Sequence, residues 1–260
     1  MPVNDSGQPA PVDAAAAWFD GLESRYLADL RPAEVARALR ALSSTYVERR
    51  GRLAHGAALD GAGKRAAFAL FYAPLHFVVV RAIVRAVGAD GPMLDVVADL
   101  GCGSGVAGAA WALECQPHPR ILGIERHPWA ADEARWTFRA LGLDGDVRCG
   151  DLARVRLPAR ASAVVTAYTA NELSDEVRAA LLRELIAAHA RGARVLVVEP
   201  IAKSAAPWWA GWAAAVRSEG GREDEWRFPA ELPGITARLG RSAGLDPREL
   251  TARSLYLANR

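Results

Sequence analysis

Asp99-Leu100-Gly101-Cys102-Gly103-Ser104-Gly105 sets an acid ahead of three alternating glycines, directly after the apolar run Met93-Leu94-Asp95-Val96-Val97-Ala98. The run reads as a buried strand, and the apolar stretch that follows, about Val106 to Cys115, reads as a helix. A tight strand-to-helix turn needs positive φ values and a backbone without Cβ where a ligand lies against it, and glycine supplies both. Asp99, at the carboxyl end of the strand, repels a pyrophosphate and suits a ligand that carries positive charge.

A dinucleotide site is the main competitor, because Gly103-Ser104-Gly105-Val106-Ala107-Gly108 also fits the G-x-G-x-x-G pattern and Glu125 follows at the expected distance. In that reading the strand runs straight into the first glycine. Here Leu100-Gly101-Cys102 would be left as an extra turn with no purpose.

Further out, strands and helices alternate, as in a parallel sheet covered on both faces. Strands are expected at Val96 to Leu100, Ile121 to Glu125, Val147 to Cys149, Ala163 to Tyr168 and Arg194 to Glu199. Helices are expected at Val106 to Cys115, Pro128 to Leu141 and Asp175 to His189, the last with Ser174 as N-cap. Ahead of the sheet, residues 14–90 read as a helical region: Ala14 to Leu30, Pro32 to about Arg50, and Lys64 to Val87 with a kink or interruption at Pro74. Residues 1–13 read as a disordered tail and Gly51 to Gly63 as a break. Beyond Pro200, an aromatic-rich insertion at about 201–230 holds Trp208, Trp209, Trp212, Trp226 and Phe228; a helix at Pro233 to Ala243 and a short strand near Ser254 to Ala258 follow.

The glycine turn, the segment Tyr168-Thr169-Ala170-Asn171-Glu172-Leu173 and Glu199-Pro200 together resemble the class I S-adenosylmethionine (SAM) methyltransferases across about Met93 to Arg260. The resemblance implies an α/β, Rossmann-like fold with a mostly parallel, seven-stranded type of sheet, here with an N-terminal helical extension. It also implies SAM as cofactor and methyl transfer as activity. More narrowly, the aromatic-x-x-Asn-Glu-Leu segment, the Glu-Pro pair and the arginine-rich helical front are similar to the ribosomal small-subunit-associated methyltransferase-like family. Members of that family carry cysteines downstream of the fold that suit an iron-sulfur cluster, and this chain has none after Cys149.

On this reading the cofactor is held by Asp99, Gly101, Cys102, Gly103 and Gly105, with Glu125 and Arg126 at the end of the second strand, Asp151 and Leu152 after the third, and Tyr168 after the fourth. Glu125 is placed to accept from both ribose hydroxyls and Asp151 from the adenine amino group. His127 either flanks the adenine or starts the next helix. Tyr168, Asn171, Glu172 and Glu199, at the ends of neighbouring strands, are the expected catalytic group facing the acceptor. The segment is not the Asn/Asp-Pro-Pro-aromatic tetrapeptide of many exocyclic-amine methyltransferases. Methyl transfer needs chiefly in-line alignment and desolvation, with a base only when the nucleophile arrives protonated. The tryptophan group is expected either as core or as a wall or lid over the acceptor.

At 260 residues and 51% hydrophobic content the chain can bury a large core. Net charge is +2, with Lys64 and Lys203 the only lysines, and charge alone makes no case for nucleic acid. Cys102, Cys115 and Cys149 have neither CxxC spacing nor an even count, and His55, His76, His118 and His189 lack partners at metal-ligand spacing, so they read as surface or packed residues and no metal is expected. The uncharged run Ala66 to Val80 is shorter than a membrane span and reads as a buried helix. A cytoplasmic protein with no membrane partner is expected. The acceptor is unidentified, with a small molecule favoured over RNA; the alternatives are an RNA- or ribosome-directed methyltransferase and a non-catalytic SAM-binding ribosome-assembly factor.

Overall fold

The computed structural model describes residues 14–48, 59–90, 94–154, 157, 161–202, 206–245 and 248–258; the expected tail at 1–13 and the stretch 51–58 of the expected break lie outside them. The seven strands are β1 (Val96–Leu100), β2 (Arg120–Glu125), β3 (Gly145–Cys149), β4 (Ala163–Ala167), β5 (Arg194–Glu199), β6 (Arg222–Pro229) and β7 (Glu249–Leu257). They form one sheet in the order β3-β2-β1-β4-β5-β7-β6. The pairs from β3 to β5 are parallel and β7 runs antiparallel to both β5 and β6.

The central strands are apolar on both faces because both are covered. On β1, Val97 belongs to one core and Ala98 and Leu100 to the other. The first core is built with helices α1 (Ala14–Tyr26), α2 (Pro32–Glu48), α3 (Ala62–Ala67), α4 (Ala73–Ala86), α5 (Val106–Leu113), α6 (Pro128–Ala140) and α9 (Gly234–Ala243). The second lies under α7 (Asp175–Ala190) and α8 (Trp209–Ser218). Local signals set the helix ends. Pro128 stands in the first turn of α6, where its missing N–H costs nothing, and the Ser174 side chain accepts from the Val177 N–H at the start of α7.

Pro74 does not break its helix. Residues 62–86 form one continuous helix in which α3 and α4 are joined by a π-turn, Phe68–Tyr72, and the Ala73 N–H reaches back to the Phe68 carbonyl. The wider turn accommodates a ring that could not donate to the preceding turn. By length and composition alone this helix could cross a membrane; here Leu70, Phe77, Val80 and Ile83 are buried in the first core.

Two other expectations change. The stretch read as an aromatic-rich insertion supplies α8 and the edge strand β6, which pairs with β7 along its whole length. The final strand is accordingly nine residues long. Charges alternate along β6 with Trp226 and Phe228, so its polar side hid the strand pattern at one edge of the sheet. The fourth strand ends at Ala167, one residue early, because Tyr168 turns out of it with φ 57°.

Candidate functional site

The carboxyl ends of β1 to β5 open into one cavity of about 470 Å³, within the size range of small-molecule sites. Because the sheet order is β3-β2-β1-β4-β5, the loops line it in spatial sequence: Asp151 and Leu152, then Glu125 and Arg126, then the glycine turn, then the segment from Tyr168 to Leu173, then Glu199. Phe68, Tyr72 and His76 supply a wall from the N-terminal helices. They are four residues apart and share one helix face.

The glycine turn is tied to the end of β2. The N–H groups of Gly101 and Cys102 both donate to the Ile124 carbonyl, at 2.9 and 3.0 Å. Glu125 accepts from the Gly103 N–H at 2.9 Å with one carboxylate oxygen and from the His127 N–H at 2.8 Å with the other. Each glycine of the turn has positive φ, but each has a different neighbour. A Cβ at Gly101 would overlap Thr169, which itself donates to the Gly101 carbonyl. A Cβ at Gly103 would point into the cavity, with nothing nearer than Phe68 at 3.6 Å. Gly105 does not border the cavity: a Cβ there would strike Phe138 at 2.6 Å, so this glycine serves the contact of the turn with α6.

Asp99 is fully buried at the cavity floor. One carboxylate oxygen accepts from the Gly108 N–H at 2.7 Å, and the other has no partner among the described residues. Burial pushes the group up to about 7 against the pull of that bond, with Glu125 adding a smaller push. Asp151 accepts from the Ala153 N–H at 3.0 Å, a loop-capping bond that leaves it on the cavity rim.

After β4 the chain is held by Glu199, 1% exposed. Its two oxygens accept from the Ala170 N–H at 2.9 Å and from the Asn171 Nδ2 at 2.5 Å; the Asn171 Oδ1 in turn accepts from the Trp208 Nε1 at 3.0 Å. Burial raises Glu199 to about 8, although these donors and Arg253 pull the other way. Glu172 is raised to about 7 by burial, with Arg126, 3.8 Å away, lowering it and Glu125 raising it. The Tyr168 hydroxyl is buried without a partner among the described residues, and its ring lies on that of His76. Burial lowers His76 to about 3, so its imidazole is neutral.

Every expected site residue except Gly105 therefore borders one space. The Trp208, Trp209 and Trp212 group does not border it; those rings pack with the second core, and only the Trp208 indole reaches the site, through Asn171. The reading of the sequence missed Phe68, Tyr72, His76 and Thr169. The regular spacing of the first three was the available signal, but His76 reads as a packed histidine until the helix face is known. His55 lies outside the described residues.

Residues 97–192 match the family of methyltransferase domains. The match runs from β1 to just past α7 and contains the glycine turn, Glu125, Asp151 and the segment after β4. Solved methyltransferases share the fold at low identity. The plantazolicin methyltransferase BpumL, solved with S-adenosylhomocysteine (SAH) and a monoazolic desmethylPZN analogue, is 10% identical, with a TM-score of 0.52 over 92% of this chain and 100% of that one. The mitomycin 7-O-methyltransferase MmcR is 18% identical, with a TM-score of 0.50 over 97% of this chain and 74% of that one. No curated protein sequence matches the chain. Neither the family match nor these structures support the narrower likeness to the ribosome-associated family.

Proposed function

We propose that the protein is a SAM-dependent methyltransferase acting on a small molecule. The observation that carries this reading is the convergence on one cavity of the glycine turn, Glu125 and the segment after β4, all three within the stretch that matches the methyltransferase domains.

The residues fit the cofactor. Gly103 leaves a cradle that a side chain would fill, and Asp99 and Ser104, both buried at the cavity, each keep an oxygen without a partner. Asp151 and Leu152 would hold the adenine, Glu125 the ribose, and Asp99 with the glycine turn the methionine end. When bound, SAM supplies a methyl on a sulfonium sulfur, whose electron pair returns to sulfur as the carbon passes to a nucleophile. The protein's part is placement: Glu199 and Asn171 fix the loop that carries Tyr168, and the aromatic wall excludes water from the acceptor end.

Calorimetric titration with SAM and SAH tests the cofactor assignment, and radiolabelled methyl transfer into fractionated metabolites, protein and RNA tests the acceptor. Absence of SAM and SAH binding would remove the reading. Label appearing only in RNA would replace the small-molecule acceptor.

A further inference from the structure

Among the described residues, five carboxyl groups, Asp99, Glu125, Asp151, Glu172 and Glu199, border the cavity, against one guanidinium, that of Arg126; His76, His127, Cys102, Tyr72 and Tyr168 complete its titratable lining. The chain as a whole is close to neutral at +2, so the acids are concentrated here. Three of them are accounted for by the loops at the ends of β1, β2 and β3, where the cofactor would lie. Glu199 stands at the other end, at the close of β5, and Glu172, in the loop after β4, lies between the two, paired with Arg126 and near enough to Glu125 and Glu199 for the charges to act on one another. Glu199 is occupied on both oxygens by Ala170 and Asn171. Among the described residues the Glu172 carboxylate has only the ion pair with Arg126, at 3.8 Å.

One wall of the same cavity, running from the glycine turn to the loop after β4, is aromatic. His76 and Tyr168 are stacked, Tyr72 lies 5.9 Å from His76, and Phe68 lies 6.2 Å from Tyr72. Ring faces beside a carboxylate attract a cation and repel an anion. The buried Tyr168 hydroxyl, with no partner among the described residues, marks a polar position in that wall.

We propose that the acceptor end of the cavity takes a protonated amine carried on a flat apolar frame, with Glu172 as the carboxylate that anchors the ammonium and receives its proton. The nitrogen can act as a nucleophile only after one N–H bond breaks. The bonding pair stays on nitrogen as its lone pair, and the proton passes to Glu172, which becomes the neutral acid. Its burial, with a smaller push from Glu125, raises its proton affinity and suits it to that transfer. A carboxylate or phosphate acceptor would meet Glu172 and the unpaired oxygens of the other cavity acids instead, which argues against a nucleic-acid backbone in this space. The proposal rests on the methyltransferase reading for the source of the methyl, but the preference for a cation belongs to the cavity itself.

Three probes of one shape test it: 2-phenylethylamine, 2-phenylethanol and phenylacetate, titrated calorimetrically into the protein with and without SAH. The amine should bind at least about tenfold more tightly than the alcohol, and the acid more weakly than either. In Glu172→Gln the advantage of the amine should fall below about threefold while SAH affinity stays unchanged, and Glu172→Asp should keep most of it. Equal or tighter binding of the alcohol or the acid, an undiminished amine preference in Glu172→Gln, or no binding of any probe would overturn the proposal. An amine preference without SAH binding would defeat the cofactor reading and leave this one standing. SAH binding without an amine preference would do the reverse.

Discussion

The imidazole of His76 lies flat on the ring of Tyr168, with centroids 3.7 Å apart and planes 11° from parallel. One ring comes from α4 in the N-terminal helical region and the other from the loop after β4. Tyr168 holds a left-handed backbone conformation that is unfavourable for a bulky residue, so the contact helps to keep a strained residue in place. His76→Ala should lower stability by about 1 kcal/mol, the value of such a pair, and should weaken acceptor binding while SAH affinity holds. His76→Phe should recover the stability. Denaturant titration and calorimetry read both, and an unaltered acceptor affinity in His76→Ala would separate the wall from the acceptor.

Gly103 and Gly105 should fail in different ways. Gly103→Val puts a branched side chain into the cavity and should abolish SAM binding in a protein that still folds. Gly105→Ala combines a φ of 78° with a clash against Phe138, and should destabilise the fold by about 2 to 4 kcal/mol. Circular dichroism melts beside SAH titrations distinguish the two; normal SAM binding in Gly103→Val would undo the cofactor assignment.

Glu125→Ala removes the acceptor of two backbone N–H groups as well as the proposed ribose contact. Affinity for SAM should fall by about 1.5 to 3 kcal/mol, with the sheet intact. Unchanged affinity would place the ribose elsewhere.

Glu199 gives a pH signature. Its carboxyl, held near 8 in the folded protein and near 4.5 when unfolded, binds its proton more tightly in the native state. This group's contribution therefore favours the fold at low pH and is lost as pH rises between about 4.5 and about 8. Relative to wild type, Glu199→Gln should gain stability as pH rises through that window, because the amide has no proton to lose. Denaturation at a series of pH values tests the slope, and a difference independent of pH would show that Glu199 does not titrate there.

Arg25 reaches from α1 to the buried Glu133 on α6 with two parallel hydrogen bonds, at 3.0 and 3.2 Å, while lying over the Trp136 ring. Arg25→Met leaves Glu133 without its charge partner and should destabilise by about 2 kcal/mol or more; the double variant Arg25→Met with Glu133→Leu should recover most of that loss. Denaturant midpoints for the three variants decide it.

The central sheet was legible because parallel strands buried on both faces read as apolar runs bounded by turn residues, as Val96 to Leu100 and Arg194 to Glu199 do. β6 was not, because Arg222, Asp224 and Arg227 on an edge strand look like a loop. Site residues that follow a strand directly, such as Asp99 and Glu125, could be placed from order alone. The role of Gly105 could not, since whether a glycine faces a ligand or a neighbouring helix depends on packing that local sequence does not encode. The aromatic wall was hidden for the same reason: Phe68, Tyr72 and His76 become a surface only when their helix docks beside loops made much later in the chain.

That docking has a consequence for biosynthesis. The helix over 62–86 is translated before any strand of the sheet, yet Ile83, Val84 and their neighbours are covered by a core that includes Ala109 on α5 and Ala252 and Tyr256 on β7. During translation the part of its apolar face that β7 covers is therefore exposed until nearly the whole chain has been made, a period in which chaperones or a membrane surface can compete for it. The aromatic wall is among the first parts of the cavity synthesised, and it waits for the loops that face it.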